Sequence, residues 1–399
     1  MRILIINQYA TTGDSAGGTR HIDLARIIVS RGHQVCILAG SYDARKEATV
    51  VDGVHLRWLS VMKYRGNGAR RFLSMMKFGH DAAWAELPFN PDVVIGSSVH
   101  PFAALAGWVQ AKRHRTPFVF EIRDLWPETL IALGGYSRWS PPIVLLSILE
   151  RFLCSNASAI ISLLPLAQRY LQGIGVPKQK VHYIPNGVDL TLFDQRRAGS
   201  KPLEIGSRDR FRVLYSGAHG VANNLGLLLD AAEILERQQA PVEFVLVGDG
   251  AEKPNLARQA AKMGLQTVRF ADPVPKSLIP SVLEDADVLC AAARETDLYR
   301  YGISFNKLFD YFAAAKPIVF AGRVEPDLVT RSGSGITVPG DEPTALAEAV
   351  LHMLRMSPQE RLTLGRAGRE FAEREHSISL LAQRLLVLLS QLTGDGSVR

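Results

Sequence analysis

The chain has 399 residues, which is too long for one ordinary hydrophobic core and predicts two domains. Apolar residues make up 47% and charged residues 21%, as in soluble globular enzymes. The net charge of +7 points to anionic partners such as nucleotides, diphosphates, nucleic acid or an acidic membrane face, and the three scattered cysteines (Cys36, Cys154 and Cys290) argue against a disulfide framework and for a reducing compartment.

The first half of the chain alternates short apolar runs with helical patterns. The run RILIIN (2–7) directly follows Met1 and predicts a first strand, because a signal peptide needs a longer apolar core. The pattern at 20–32 predicts a helix that ends at a glycine. Continuous apolar strands that alternate with helices indicate a parallel sheet covered on both faces. Further strands are predicted at 34–40, 91–98, 117–122, 159–164 and 181–186.

The segment 59–84 combines cations with large apolar side chains. Two interpretations remain open: a solvated helix face over a core, or an interfacial helix that lies on anionic lipid. The apolar-rich stretch 141–166 contains Glu150, Arg151 and Asn156 and is too polar for a membrane-spanning helix. The cations of the segment 59–84 are Lys63, Arg65, Arg70, Arg71 and Lys77.

A polar stretch at 194–210 predicts a linker, after which the strand–helix pattern restarts. Residues 1–193 then form one domain and 211–376 a second, and the leucine-rich helix at about 377–399 is expected to pack back on the first. Both domains are predicted to be doubly wound, Rossmann-like α/β domains that face each other across a cleft, with ligands at the carboxyl ends of the strands. Predicted strands of the second domain are 211–217, 242–250, 268–272, 286–292, 317–322 and 335–338, and its helices include 222–237, 252–263, 277–285, 304–315 and 324–330.

Three glycine-containing loops follow predicted strands. Gly17 and Gly18 follow the first strand of the first domain, and their lack of a Cβ would let the backbone approach a phosphate or a sugar at a helix N-terminus. The second domain repeats this arrangement with Gly217, His219 and Gly220. The third loop, at 247–253, contains Gly248 and lies between the end of a strand and the start of the next helix. Since the first of these loops lacks the GxGxxG pattern, a dinucleotide-dependent dehydrogenase is disfavoured.

Several motifs, taken together, resemble those of the retaining family 4 glycosyltransferases, which have the GT-B fold. These are IPNGVDLTLF (184–193), LVGDGAEK (246–253), VRFADPVP (268–275) and LFDYFAAAKPIV (308–319), in the order and spacing of that family. In the first half, GGTRHIDLARIIVSRGHQV (17–35) and FEIRDLWPE (120–128) resemble the bacterial branch that builds O-antigen, capsule and exopolysaccharide, and within it the fucosamine and related N-acetylaminosugar transferases.

The resemblance implies a nucleotide-sugar site on the second domain. The base would lie near Phe270, Ala271 and Val274, and a carboxylate at the position of Asp310 would accept hydrogen bonds from the ribose hydroxyls. The diphosphate would meet glycine-loop amides and a cation, because donors directed at the leaving phosphate supply the largest catalytic effect. No metal or other cofactor is expected, since no DxD motif and no ligand-spaced His/Cys cluster is present.

The chain departs from the family pattern at two places. The family has two glutamates eight positions apart, whereas this chain has Gly302 and Asp310. Contacts to the sugar hydroxyls are therefore expected from Ser304, Asn306 or the backbone of residues 302–305.

The usual Arg and Lys after the second-domain glycine loop are also missing, and His219, Asn223 and Asn224 stand there instead. We therefore expect Lys307 to be the diphosphate cation, with Arg294 or Arg300 in support. Lys307 and Asp310 would project from one helix face and contact the phosphate and the ribose; the alternative is a structural ion pair between them.

The first domain offers a charge cluster and a histidine at strand ends. Arg123 stands at about the position where the family's retaining members place a histidine, so it is expected to bind phosphate or acceptor, with Asp124 orienting it or binding a sugar hydroxyl. A salt-bridge network that includes Glu128 is the alternative. His100 is a further catalytic candidate, whereas His21 and His33 are expected to be structural.

These features predict a metal-independent, retaining glycosyltransferase. It would move an N-acetylated hexosamine or a deoxyaminosugar from a UDP-sugar to a lipid-diphosphate-linked or glycan acceptor. It would act in the cytoplasm, peripherally at the inner face of the membrane through the segment 59–84, with no nucleic-acid partner. A UDP-sugar 2-epimerase of GT-B fold and a non-catalytic nucleotide-sugar-binding protein are the alternatives.

Overall fold

The computed structural model describes residues 1–12, 18–43, 48–64, 68–98, 100–199, 205–207 and 209–395. The chain divides into two compact units. Unit 1 contains Met1–Asn186, the short segment Tyr301–Ser304 and the C-terminal segment from Ile378. Unit 2 contains Gly187–Arg300 and Phe305–Ser377.

Unit 1 is built on an eight-stranded sheet whose order is β3-β4-β2-β1-β5-β6-β7-β8. All neighbouring strands are parallel except the antiparallel pair β3 and β4. The central strands are continuous apolar runs because both faces of a parallel sheet are buried. The strands are β1 (Arg2–Ile6), β2 (Gln34–Ser41), β3 (Thr49–Val51), β4 (Val54–Ser60), β5 (Val93–Ser97), β6 (Phe118–Ile122), β7 (Ala159–Ser162) and β8 (Val181–Tyr183).

Among the residues that the structure describes, six α-helices connect these strands. Two of them begin with proline in the first turn, where the missing N–H costs no helical hydrogen bond. The helices are α1 (Arg20–Ser30), α2 (Ala69–Trp84), α3 (Pro101–His114), α4 (Glu128–Gly134), α5 (Pro141–Asn156) and α6 (Ala167–Gly173).

The hairpin β3–β4 is absent from the sequence prediction. Its turn is Asp52–Gly53, and both residues have positive φ, +49° and +77°, as a tight two-residue hairpin turn requires. The segment 59–84 consequently begins with the end of β4, and its helical part is α2. Arg65 lies outside the described residues.

Unit 2 is built on a six-stranded, fully parallel sheet of order β11-β10-β9-β12-β13-β14. Its strands are β9 (Phe211–Ser216), β10 (Val242–Val247), β11 (Val268–Ala271), β12 (Val288–Ala292), β13 (Ile318–Ala321) and β14 (Gly335–Val338). Its helices are α7 (Leu190–Gly199), α8 (Gly226–Arg237), α9 (Lys253–Met263), α10 (Ile279–Glu284), α11 (Asn306–Ala313), α12 (Leu328–Ser332), α13 (Pro343–Arg355) and α14 (Pro358–Phe371).

The chain returns to unit 1 through α15 (Ile378–Thr393). The leucine-rich face of α15 shares a hydrophobic core with α1 and with the strands β1 and β2. Leu381, Leu385 and Leu389 on α15 are at most 2% exposed, as is Ile28 on α1. Arg31 adds a polar contact by donating to Gln383 Oε1 at 2.5 Å.

The transition between the units differs from the predicted boundary. Residues 187–199 belong to unit 2, and the first part of the predicted 194–210 linker continues α7 as helix. Two contacts within unit 2 explain this: Arg369 pairs with Asp194 at 2.7 Å, and Val188 N donates to His376 O at 3.0 Å. Within the described residues, no helix combines the length and the apolar character that crossing a membrane requires.

The strand orders place a switch point in each sheet. In unit 1 the chain extends from β1 to β2 on one side and to β5 on the other, and in unit 2 it extends from β9 to β10 and to β12. Ile5 is in register with both Ile37 and Ile95, and Leu214 with both Val245 and Leu289. In open α/β sheets ligands bind outside the carboxyl ends of the strands at such points.

Candidate functional site

The loops after β9 and β10 in unit 2 are held together through glycines. Gly217 and Gly248 have φ values of +154° and +144°, and Gly217 N donates to Val247 O at 3.0 Å. A Cβ on Gly248 would overlap the Gly217 carbonyl group, so a side chain does not fit there. His219 N donates to Asp249 O at 2.8 Å, which brings the imidazole of His219 into the space between the two loops.

His219 is fully buried, and neither ring nitrogen has a hydrogen-bond partner among the described residues. Its ring lies 5.9 Å from the ring of Tyr215 and 6.2 Å from that of Phe270. Burial, assisted by the charge of Lys253, lowers the pKa of His219 to about 4, so the ring is neutral at pH 7. A buried polar group left unpaired costs about 1–3 kcal/mol, so the two unpartnered nitrogens of His219 need an explanation.

Lys307 lies in the first turn of α11, near His219. Its ammonium donates to Tyr215 Oη at 3.0 Å and to Asn223 Oδ1, and it lies 4.7 Å and 4.8 Å from the ring centres of Tyr215 and Phe305. Burial lowers the pKa of Lys307 to about 7. The amine is therefore held in place without a carboxylate partner among the described residues, and an anion beside it would stabilise its charge.

Asp310 lies one turn further along α11 and pairs with Lys276, not with Lys307. Lys276 Nζ is 3.3 Å and 3.2 Å from the two carboxylate oxygens of Asp310, whose side chain is 13% exposed. The structural ion pair considered between Lys307 and Asp310 is thus not formed. Lys276 was not selected from the sequence. Its position shortly after β11 was the feature that could have identified it.

The end of β11 is tied to the glycine loops by Lys253. Lys253 Nζ donates to Gly248 O at 3.0 Å, Ala271 O at 3.0 Å and Asp272 Oδ1 at 3.1 Å, and Gly248 N donates to Ala271 O. Phe270, Ala271 and Val274 are all half-buried. Residues predicted to contact a base therefore adjoin the crevice of His219, and Lys253, which sequence reasoning did not select, connects them.

The residues predicted to replace the missing glutamate fall in different units. Ser304 belongs to unit 1, where Asn186 Nδ2 donates to its Oγ at 2.9 Å. Gly302, with φ of +97°, packs against Pro165 in the same unit. Asn306 is exposed at the start of α11 in unit 2.

The remaining polar predictions in unit 2 have separate surroundings. Gly220 O accepts from Asn223 N at 2.9 Å, which shapes the turn that presents Asn223 to Lys307. Arg294 N donates to Ala222 O at 3.1 Å. Arg300 lines a cavity of about 480 Å³ together with Glu295, Thr296, Asp297, Arg323, Val324 and Glu325.

Unit 1 contains a buried charged network at the carboxyl ends of β5 and β6. Glu121 accepts from His21 Nε2 at 2.7 Å, from Ser97 Oγ at 2.8 Å and from Arg20 at 3.2 Å, and Arg20 also donates to Ile184 O at 2.9 Å. Burial alone would raise the pKa of Glu121, but Arg20 and His21 together lower it below its ordinary value. The network was missed from sequence, although a glutamate within the apolar strand FVFEI was a signal of it.

Arg123 follows β6 and contacts the first glycine loop. A Cβ on Gly18 would lie 2.9 Å from Arg123 Nη2, so glycine makes room for the guanidinium. The Nη1 atom is buried and has no partner among the described residues, while Arg123 N donates to Ser98 Oγ at 3.1 Å. Asp124 is exposed and forms no ion pair with a described residue. Gly17 lies outside the described residues.

His100 has both ring nitrogens occupied. Nδ1 accepts from Ala103 N at 3.3 Å and caps α3, and Nε2 is 2.7 Å from Gln8 Oε1. Burial lowers the pKa of His100 to about 3. The geometry gives His100 a role in the fold, and its predicted catalytic role stays a prediction. Glu128 pairs with Arg138 at 3.2 Å, apart from Arg123.

The two units thus offer different chemistry. Unit 2 presents a neutral imidazole, an amine and glycine-loop backbone around one crevice, which suits an anion, with a carboxylate one helical turn away that suits hydroxyl groups. Unit 1 presents one guanidinium against a glycine, which suits a single anionic or sugar group.

Two family models match the chain. The model described as glycosyl transferase 4-like domain matches residues 16–187, and the model described as glycosyl transferases group 1 matches residues 210–356. The matched ranges correspond to the two α/β sheets.

Curated relatives include two proteins of Escherichia coli (strain K12). The putative colanic acid biosynthesis glycosyltransferase WcaL is 26% identical over 227 residues, which are 56% of this chain and 54% of WcaL. The putative colanic acid biosynthesis glycosyl transferase WcaI is 24% identical over 210 residues, 51% of each chain. The chain thus spans about half the length of the curated relatives it matches.

Solved structures share the fold over nearly the whole chain. Sucrose-phosphate synthase from Thermosynechococcus elongatus has a TM-score of 0.79 at 18% identity, over 98% of this chain and 99% of that one. Anabaena HepE in complex with UDP and glucose has a TM-score of 0.71 at 18% identity, over 98% of this chain and 100% of HepE. The chain belongs to the glycosyltransferases of GT-B fold, with a glycosyl transferase 4-like domain followed by a group 1 domain.

Proposed function

We propose that the chain transfers a sugar from a UDP-sugar, bound by unit 2, to an acceptor in the synthesis of a cell-surface polysaccharide. The observation that carries this proposal is the crevice of His219, where a buried imidazole with two unpartnered nitrogens lies beside the amine of Lys307. A diphosphate supplies an acceptor for the single N–H of the neutral His219 ring and negative charge for the amine of Lys307.

Each part of the nucleotide-sugar has a proposed partner. Lys307, His219 and the backbone around Gly217 bind the diphosphate, and Asp310 accepts from the ribose hydroxyls after exchanging part of its contact with Lys276. The base lies on the side of Phe270, Ala271 and Val274. As the bond between sugar and phosphate breaks, charge grows on the leaving diphosphate, and prearranged donors stabilise it most in the transition state.

Retention of the anomeric configuration, independence from metal and an N-acetylated hexosamine or deoxyaminosugar as the transferred group are further parts of the proposal. They rest on the resemblance of the sequence motifs to retaining family 4 enzymes. Structures of HepE contain UDP and UDP-glucose, which supports UDP as the nucleotide. The names of WcaL and WcaI, both colanic acid biosynthesis proteins, support an exopolysaccharide pathway.

The proposed acceptor is a lipid-diphosphate-linked or glycan chain at the inner face of the membrane. The helix α2, within the segment 59–84, supports this location because it exposes Phe72, Leu73 and Met76 next to the cations Arg70 and Lys77. An amphipathic helix with cations beside apolar side chains binds anionic lipid surfaces. Helix α5 exposes a second apolar stripe, of Val144, Leu145 and Ile148.

A thermal-shift and transfer experiment tests the proposal. UDP should raise the unfolding midpoint more than ADP or GDP, because a ligand stabilises the fold that binds it. Asp310→Asn should lose this shift, and Asp341→Asn, an exposed carboxylate of unit 2, should keep it. Transfer from UDP-N-acetylglucosamine to a lipid-linked acceptor should persist in a chelator.

Three outcomes would contradict the proposal. Absence of a shift with any nucleotide would remove the donor site, and activity restored by divalent cations alone would remove metal independence. Free epimerised sugar formed without acceptor would favour a 2-epimerase.

The membrane part has its own test, flotation with vesicles. The chain should float with vesicles that contain anionic lipid and not with neutral ones. Replacing both Arg70 and Arg71 by Glu should reduce flotation strongly, whereas Arg355→Glu on α13 should not. Flotation that is equal for all three proteins would remove the role of α2.

A further inference from the structure

A cavity of about 330 Å³ lies in unit 1 at the amino end of β6, between the ends of α3 and α5. Arg123 and the Glu121 network lie at the opposite end of the same strand, about 15 Å away for a five-residue strand. The cavity is therefore separate from the residues considered so far. Its lining residues are Trp108, Ala111, Lys112, Arg115, Thr116, Phe118, Asn156 and Ser158.

Two lining residues carry buried polar atoms without partners. Trp108 Nε1 and Thr116 Oγ1 are both inaccessible to solvent and form no hydrogen bond within the described part of the chain. An indole N–H can only donate, so it must be satisfied by an acceptor. An occupant that brings acceptor atoms would satisfy this N–H, whereas a bare cation would not.

The charge of the lining points in the same direction. Lys112 and Arg115 are exposed, no carboxylate lines the cavity, and neither cation pairs with a described acidic residue. The C-terminus of α3 opposes an anion, but its dipole amounts to only about half a charge. Two of its last carbonyl groups already accept hydrogen bonds, from Arg115 N and Thr116 N. The two cations outweigh the dipole.

We propose that this cavity binds a phosphate group carried by a small organic molecule or by a lipid. Its volume falls in the range of small-molecule sites, about 300–1,000 Å³, and exceeds what inorganic phosphate alone would fill. The rings of Trp108 and Phe118 provide an apolar wall for the organic part. The phosphate accepts from Trp108 Nε1 and Thr116 Oγ1 and pairs with Lys112 and Arg115.

Two sources of this phosphate are possible, and the test separates them. Calorimetric titration with glucose 1-phosphate, at saturating UDP to occupy the proposed donor site, measures a soluble ligand. Flotation with phosphatidylcholine vesicles, with and without phosphatidylglycerol, measures a lipid headgroup. Both use the full chain, and neither depends on sugar transfer, so failure of the proposed function leaves this inference standing.

Four variants make the test specific. Trp108→Phe removes the N–H and keeps a ring, and Thr116→Val removes the hydroxyl. Lys112→Gln removes a cation, and Arg115→Gly removes another at a φ of +55°, where glycine is favoured. Arg355→Gln, an exposed cation in unit 2, is the matched control. Circular dichroism confirms that each variant is folded.

We expect Trp108→Phe and Lys112→Gln each to weaken binding about tenfold, because a hydrogen bond to a charged group is lost, and Arg355→Gln to leave it unchanged. If the variants lose binding in the glucose 1-phosphate titration, the ligand is a soluble phosphate ester. If they lose binding in the flotation experiment, the ligand is a lipid headgroup. If wild type binds neither probe, or if all four variants bind like wild type, the proposal is overturned.

Discussion

Both units bury histidines beside the carboxyl ends of their strands, but the surroundings differ. In unit 1, His21 Nε2 donates to Glu121 while His21 Nδ1 has no partner among the described residues, and His100 uses both ring nitrogens within the fold. In unit 2, His219 is equally buried and neither nitrogen has a partner among the described residues. The buried histidines near the strand ends therefore differ in hydrogen bonding: His100 has two partners, His21 has one, and His219 has none among the described residues.

We interpret this difference as one between residues that hold the fold and residues that are proposed to bind a ligand. A satisfied buried network stabilises one conformation and is damaged when any member is removed. An unpartnered buried group instead costs stability in the free protein, and the cost is recovered on binding. In unit 1, Glu121 and His100 are fully partnered while His21 Nδ1 and Arg123 Nη1 are not, and in unit 2 both nitrogens of His219 lack partners among the described residues.

The largest expected effect is on stability, in Glu121→Gln. The change leaves Arg20 buried without its ion pair, which costs about 3–5 kcal/mol. We expect the unfolding midpoint of unit 1 to fall by about 8 °C or more. Because the pKa of Glu121 lies below its ordinary value, the stabilisation is present above the unfolded pKa and is lost as the pH falls.

Glu233→Gln provides the control for this measurement. It breaks an exposed pair with Arg237 at 2.6 Å and should change stability by less than about 0.5 kcal/mol. If Glu121→Gln behaved like Glu233→Gln in calorimetry, the network of unit 1 would not have the structural role assigned to it.

The second effect is on UDP binding, in Lys307→Met. Loss of the cation beside the diphosphate should weaken UDP affinity about 100-fold. The same change should raise the unfolding midpoint at pH 6 by a few degrees, because burial penalises the charged amine in the free protein. Lys262→Met on α9 serves as control. Weak UDP binding accompanied by a large loss of stability would indicate a structural lysine instead.

Much of the fold could be predicted from the sequence, because it depends on local patterns. Apolar runs such as VEFVLV at 242–247 and RILII at 2–6 gave their strands directly, and the two-domain GT-B prediction is confirmed. The hairpin β3–β4 was missed because its strands carry polar residues and lie at a sheet edge, where the apolar signal is weak. The start of unit 2 at Gly187 depends on the pair Asp194–Arg369, which joins residues far apart in sequence.

The residues of the candidate site could be predicted from the sequence, but their hydrogen-bond and ion-pair partners could not. The glycine loop, His219, Lys307 and Asp310 were selected from motif positions, and their roles in binding remain predictions. That Asp310 pairs with Lys276 and that His219 has no partner follow from long-range contacts, which a linear pattern does not contain.

A third effect is on the pH dependence of UDP binding. The pKa of Lys307 is about 7 in the free protein, and a bound diphosphate raises it. Above pH 7, Lys307 must therefore take up a proton when UDP binds. The affinity for UDP should then fall about tenfold for each unit by which the pH rises. The phosphate itself ionises near pH 6 and contributes little in this range. Titration with UDP at pH 7, 8 and 9 measures how the affinity depends on pH, and this dependence should vanish in Lys307→Met. An equal dependence in that variant would show that a group other than Lys307 takes up the proton.

The smallest expected effects are those of replacing His100 in unit 1 or His219 in unit 2 by phenylalanine. These two variants test most directly whether unpartnered nitrogens mark a ligand site. His100→Phe removes the cap of α3 and leaves Gln8 without its partner, so stability should fall by about 2 kcal/mol with no change in UDP affinity of the folded protein. His219→Phe removes two unpartnered nitrogens, so stability should hold or rise while UDP affinity falls about tenfold. Urea unfolding and calorimetry on the same preparations measure both quantities. If the two variants lost stability alike and bound UDP alike, a buried histidine's missing partners would carry no information about ligand binding in this protein.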